Sequence, residues 1–250
     1  AAPTLSWSFM MENVASMDGV HREEITSVLN KYTGEDCAPP YRLNAAELSQ
    51  VRRPRLYWTS WKVGLGELVV TDPGKGYKKL KNPSLDRPDA KLFLDPGAQK
   101  GGQGPFPTCV RVKMKKGKGA REESRDPEGA EHDCDSDAVE RWENSHYDIP
   151  PHHFQKDCCV IGSDGEVRPP NADERERLHG FQVGHTSGFL ETERIKLLGN
   201  TFHCVAVAYL LAHWAVREGY LAAPKSLSEL WRRAGYSSEK GSPSEGNDPS

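Results

Sequence analysis

Leu5, Trp7, Phe9, Met10 and Met11 make residues 5–11 apolar and aromatic, and Glu12 follows without a break. So short a run suits a buried strand better than a buried helix. The pattern therefore predicts a strand that ends at a carboxylate. In open α/β sheets, ligands bind outside the carboxyl ends of the strands. An acid placed there faces a crevice and is poorly hydrated, which favours its proton-carrying form. The plainer reading of the same residues is a core strand followed by a helix start at Glu12 or Asn13.

The rest of the composition narrows the partners. The net charge is −3 over 250 residues, so no global field marks a nucleic-acid binder, and any such surface must be local. Six cysteines are scattered, none in a CxxC spacing, and no His/Cys spacing fits a zinc site, so no metal is expected. No segment reads as a signal peptide, and no unbroken apolar run is long enough to cross a bilayer. The expectation is a soluble, intracellular chain. The chain opens inside what reads as a core strand, which predicts an N-terminally truncated fragment.

Along the chain, Ile25, Val28, Leu29 and Tyr32 recur at helical spacing and predict a helix over 23–32, with Gly34 as its stop. Residues 41–45 read as a strand and 45–50 as a helical turn. Arg53 and Arg55 then lie two apart before Trp58. On a strand both point to one face, with Leu56 and Trp58 on the other. Two guanidiniums on one face suit an anionic or carbonyl-rich ligand; a solvated edge strand would carry them equally well. Short strands are expected at 65–70, 91–94 and 107–115. Arg111 and Lys113 lie on the last of these, and Lys115, Lys116, Lys118 and Arg121 continue as a basic cluster able to meet phosphates. Residues 122–140 hold nine carboxylates against a single Arg, a composition that favours disorder.

Order is expected again near Trp142. Residues 158–161 read as a strand and 162–165 as a hairpin turn. Asn171 should cap a helix over 172–179, with Gly180 as its C-terminal stop. A second short helix follows Thr186. Gly199, Asn200 and Thr201 then stand where the longest apolar helix opens, and free N–H groups at such an end can hold a ligand. That helix, apolar nearly all round through Val216, should be buried on more than one side. Past Ala223 the chain turns Ser-, Pro- and Gly-rich.

Taken in order, these stretches resemble the cytosine-5 DNA methyltransferases, most closely the eukaryotic de novo type. Glu12, Asn13 and Val14 match the family's ENV motif. Arg53, Pro54 and Arg55 match its paired-arginine motif. Arg168 followed by Gly180 and Phe181 matches the Arg-to-Gly-Phe motif that braces the target-recognition region. Gly199, Asn200 and Thr201 match the final motif. The resemblance covers roughly residues 4–62 and 148–216. Family members also carry a glycine-rich cofactor loop and a Pro-Cys nucleophile loop ahead of ENV. Neither stands in these residues, and none of the six cysteines follows a proline. Gln50 lies one place out of register with the family's Gln, and Gln182 stands where a Pro is usual.

The resemblance implies an α/β chain with a partial Rossmann-like, S-adenosylmethionine-dependent methyltransferase fold and an inserted target-recognition region. Residues 1–63 would be the C-terminal part of the catalytic sheet and 64–147 the insert, partly disordered. Residues 148–223 would return to the catalytic domain, and 224–250 would be an extension and disordered tail. Glu12 would be the acid at cytosine nitrogen 3, and Arg55 would hold the carbonyl oxygen. Arg53 would hold a phosphate or the catalytic loop. Asn13 and Val14 would shape a pocket for a flipped base. Asn200, Thr201 and Phe202 would line the S-adenosylmethionine site, and Arg168 would give structural support. Arg111, Lys113, Lys115, Lys116 and Lys118 would touch double-stranded DNA. The implied location is nuclear, and the implied partners are DNA, the missing N-terminal half and a second subunit of the same or another chain. Two rivals stand beside this reading. One is a non-catalytic DNA-binding relic. The other is a different nucleotide- or adenosylmethionine-binding α/β protein, favoured if Glu12, Arg53 and Arg55 fail to converge.

Overall fold

The computed structural model describes residues 8–33, 39–63, 69–72, 76–80, 87–107, 134–144 and 151–236. The chain is mixed α/β. Its main sheet is built from β1 (Met10–Val14), β2 (Tyr41–Asn44), β3 (Pro54–Thr59), β4 (Val69–Asp72) and β5 (Tyr77–Leu80), in the order β1-β3-β2-β5-β4. Only β2 and β5 pair in parallel; the other neighbours are antiparallel. A small antiparallel sheet joins β6 (Gln99–Lys100), β7 (Val160–Ile161) and β8 (Val167–Arg168).

Alternation along β3 sends consecutive aromatics to opposite faces of the main sheet. Trp58 is fully buried on one face, where its indole donates to Thr26 Oγ1 at 2.8 Å from helix α1 (Gly19–Thr33). Tyr57 points to the other face and joins a core with Val205, Ala206 and Tyr209 of helix α5 (Cys204–Arg217). Trp61 donates from its indole to Leu210 O at 3.1 Å on the same helix. The sheet thus lies between α1 and α5.

Four further helices complete the described chain: α2 (Ser136–Asn144), α3 (Ala172–His179), α4 (Glu191–Asn200) and α6 (Leu227–Arg233). The predicted cap of α3 is present in full. Asn171 Oδ1 accepts from Glu174 N, the Glu174 carboxylate accepts from Asn171 N, and Gly180 ends the helix at φ 80°. The hairpin turn predicted at 162–165 joins β7 to β8.

Elsewhere the structure departs from expectation. Helix α1 begins four residues early, because Asp18 supplies an acceptor for Val20 N at 2.7 Å. Residues 91–94 form no strand: Asp89 caps a 3-10 turn over Ala90–Leu92, and Phe93 is driven into the core against Trp231 at 5.0 Å. Cys158 and Cys159 stay outside β7. The end of the acidic tract is helical as α2, held by Asp135 accepting from Ala138 N at 2.6 Å. The extension past Ala223 contains α6, whose Trp231 is 1% exposed and donates to Leu48 O at 2.9 Å.

Helix α5 is buried along one face, by Val205, Ala206, Tyr209, Leu210 and Ala212, while Leu211 is exposed, so it is not enclosed all round. By length and composition the stretch Glu191–Arg217 passes for a membrane span. It is two helices, broken at residues 201–203.

Candidate functional site

The register of β1 on β3 sets Glu12 opposite Tyr57 and Val14 opposite Arg55. Residues two apart on a strand share a face. Glu12, Val14, Arg55 and Tyr57 therefore lie on one side of this strand pair, and Asn13 turns to the other. Glu12 stands in the middle of β1 rather than at its end, because pairing with β3 carries the strand on to Val14. Its Oε1 lies 3.1 Å from Arg55 Nε. That oxygen is buried, yet it accepts no aligned hydrogen bond from the described residues. The Arg55 fork turns back along its own strand, with Nη1 donating to Pro54 O at 2.9 Å. Asn13 Oδ1 accepts from Val14 N at 2.7 Å, and Val14 is exposed.

Tyr57 ties this group together electrically. Burial raises its phenol well above the usual value and the Glu12 charge adds to that, while Arg53 and Arg55 pull the other way. Nothing singled out Tyr57 in advance, although its place two residues after Arg55 on an alternating strand was the available signal.

Arg53 has a different position. It is 3% exposed, and its guanidinium reaches the connection between α4 and α5, donating to Gly199 O at 3.2 Å and to Thr201 O. The backbone there runs opposite to expectation. Gly199 and Asn200 are the C-terminal end of α4, not the start of the apolar helix. Thr201 is extended at φ −82°, ψ 171°, and α5 starts only at Cys204, with His203 Nδ1 accepting from Ala206 N. The groups offered at residues 199–201 are therefore carbonyls, where a cation is favoured. Arg53 is that cation. Asn200 and Phe202 remain exposed, and the Phe202 ring lies 6.1 Å from that of Phe181.

Behind this connection lies a polar cluster that no local pattern announced. His203 Nε2 is 3.0 Å from Ser49 Oγ, and the His179 ring is 5.9 Å from that of His203. Burial holds both imidazoles neutral: it drives His203 down to about 3 and His179 well below its usual value, with the Arg53 charge acting the same way.

Arg168 leaves β8 to make a two-pronged contact with the fully buried Glu174, at 2.7 and 3.1 Å, and lies 3.6 Å from Asp95. Asp95 also accepts from Asn171 and Arg177, which hold its carboxyl below the usual range despite burial. Arg168 thereby pins β8 and the start of α3 to the loop at residue 95. Arg111, Lys113, Lys115, Lys116 and Lys118 lie outside the described residues.

Among the described residues no group of three His, Cys, Asp or Glu could hold a metal. Three of the described cysteines, Cys158, Cys159 and Cys204, are poor nucleophiles. Burial pushes Cys159 to about 12 and Cys204 to about 11, and raises Cys158 as well. A thiol needs the opposite shift to react. Compared with known proteins, the chain matches no family model and no curated sequence.

Proposed function

We propose that this chain supplies the acid and the carbonyl clamp of a DNA (cytosine-5-)-methyltransferase. The observation that carries the reading is the pairing of Glu12 with Arg55 on one strand face, with a buried carboxylate oxygen that lacks an aligned donor. A flipped cytosine offers complementary groups: a ring nitrogen that a carboxyl can protonate and, beside it, a carbonyl oxygen that a guanidinium can hold. Protonation and clamping together draw electrons from the ring. Carbon 6 then accepts a thiolate, and carbon 5 becomes nucleophilic. Val14 borders the same face and would meet the base. Asn13, on the other face, shapes the strand through its bond to Val14 N.

S-adenosylmethionine supplies the methyl group when bound. The residues present fit one edge of such a site. Phe202 presents a half-exposed ring on which an adenine can stack, and Asn200 an exposed carboxamide. The Rossmann-like reading of the sheet, the insert, the DNA partner and the nuclear location all belong to this proposal. Cys158, Cys159 and Cys204, whose values are raised, are not suited to supply the thiolate.

The test is labelled methyl transfer from S-adenosylmethionine to duplex DNA by the full-length gene product. Glu12→Gln should lower the rate by about 10²- to 10⁴-fold, the usual contribution of a positioned acid. The 250-residue chain alone should transfer nothing. Transfer undiminished by Glu12→Gln overturns the assignment. DNA binding without any transfer by the full-length product selects the non-catalytic relic.

A further inference from the structure

We propose that the cleft lined by Arg87, Lys91, Lys100, Gln50 and the loop of residues 102 and 103 is a phosphate-binding site. It lies away from the Glu12 strand face, and the inference does not rest on the methyltransferase reading.

The cleft has a volume of about 510 Å³. Pockets that take small ligands run from roughly 300 to 1,000 Å³. Three cations line it against a single carboxylate, Asp89. That carboxylate is already engaged, accepting from Lys91 N at 2.9 Å to cap the 3-10 turn. No described carboxylate forms an ion pair with Arg87, Lys91 or Lys100 within 4.0 Å. Their polar contacts are to neutral groups. Lys100 Nζ donates to Gln50 Oε1 at 3.1 Å and lies 5.3 Å from the centre of the Phe106 ring, and Arg87 Nη1 donates to Ala46 O at 2.9 Å.

The backbone adds donors. Gly101 N is bonded to Cys159 O at 3.0 Å, but the N–H groups of Gly102 and Gln103 have no partner among the described residues. The two glycines are required by close approach. A Cβ on Gly101 would lie 2.0 Å from Lys156 O, and one on Gly102 would lie 2.3 Å from Asp157 Oδ1, a carboxylate outside the cleft lining, and 2.5 Å from Asp157 Cα. Successive free N–H groups beside clustered cations form an anion-binding concavity. Like charges crowded without a counter-ion repel one another, and Lys100 registers it: burial lowers its ammonium below the usual value, and Arg87 lowers it further. A phosphate would relieve that repulsion and accept from the loop amides.

Phosphate can come from a free ion or from a nucleic-acid backbone, and one experiment separates them. The 250-residue chain, labelled with ¹⁵N, is titrated with sodium phosphate and, separately, with a short DNA duplex, at matched ionic strength. The Gly102 and Gln103 amide resonances should move with at least one of them. The triple variant Arg87→Gln, Lys91→Gln, Lys100→Gln should weaken that binding by about tenfold or more. If the duplex is the ligand, its salt dependence should also fall by about one unit of slope per cation removed. Response to phosphate with duplex binding unaffected by the variant assigns a free ion; the reverse assigns a DNA backbone. Amides that stay still with both ligands overturn the site whatever the variant does.

Discussion

Arg53 and Arg55 stand two residues apart and put the same guanidinium to opposite uses. Arg55 keeps to its strand and meets the Glu12 carboxylate, whose facing oxygen is buried. Arg53 is buried and satisfies the carbonyls at the end of α4. Removing Arg53 leaves those carbonyls without a partner in a partly buried place, and bonds from a charged donor contribute about 1.5–3 kcal/mol each. Arg53→Met should therefore destabilise the chain by about 2–4 kcal/mol in urea unfolding. Arg55→Gln takes the cation from a buried Glu12 oxygen in a pair that solvent still partly reaches, and should cost less, about 1–2 kcal/mol; if the proposed function holds, it should also lower methyl transfer by the full-length product. Equal losses of stability from the two variants would refute this division of roles. Strand alternation made the common face legible in the sequence. The separate fates were not, because the Arg53 partners lie 146 and 148 residues away, and no local spacing reaches that far.

At the level of elements, legibility followed the strength of local chemistry. Helix α3 was readable at both ends because Asn171, Glu174 and Gly180 each satisfy backbone groups within the helix itself. The start of α5 was misread because Asn200 and Thr201 resemble caps, whereas His203 performs that task. Helix α6 escaped notice altogether. Seven residues cannot sustain a helix in water alone, and its surroundings are rich in Ser, Pro and Gly. Its stability comes from packing. Trp231 meets Phe93 at 5.0 Å, His203 at 5.8 Å edge-on and Tyr236 at 5.8 Å. Trp231→Ala should thus cost about 3–5 kcal/mol, the range for emptying a large core site. A urea midpoint that hardly moves would show that α6 is an ornament on the core and not part of it.

Over the whole molecule, the buried imidazoles couple folding to pH. His203 packs beside Ser49, Trp231, His179 and the Arg53 charge, with no carboxylate among these contacts to stabilise a proton. Above pH 6.5 the folded and unfolded chains both hold neutral imidazoles, and pH has no effect through them. Below 6.5 the unfolded chain binds protons that the folded chain refuses, so stability rises with pH and falls on acidification. For His203 the loss continues down to about pH 3. His179 and the less buried His213 are pushed the same way by burial. Asp95 and Glu176, held below their usual values of 3.8 and 4.5, add to the loss only at more acid pH. Glu47 is raised by burial, so it takes up its proton in the folded chain above 4.5 and offsets part of the histidine loss there. In the window from about 4.5 to 6.5 the histidines drive the loss, and Glu47 alone of these carboxyls works against it. Each fully refused proton changes the folding equilibrium constant by about tenfold per pH unit. His203→Asn keeps an acceptor at the start of α5 but removes the titrating ring. In urea unfolding across this window, the variant should lose about one proton's worth of slope relative to the native chain. An unchanged slope would mean that water or a rearrangement reaches His203 in the folded state, and that the cluster behind Arg53 is not closed.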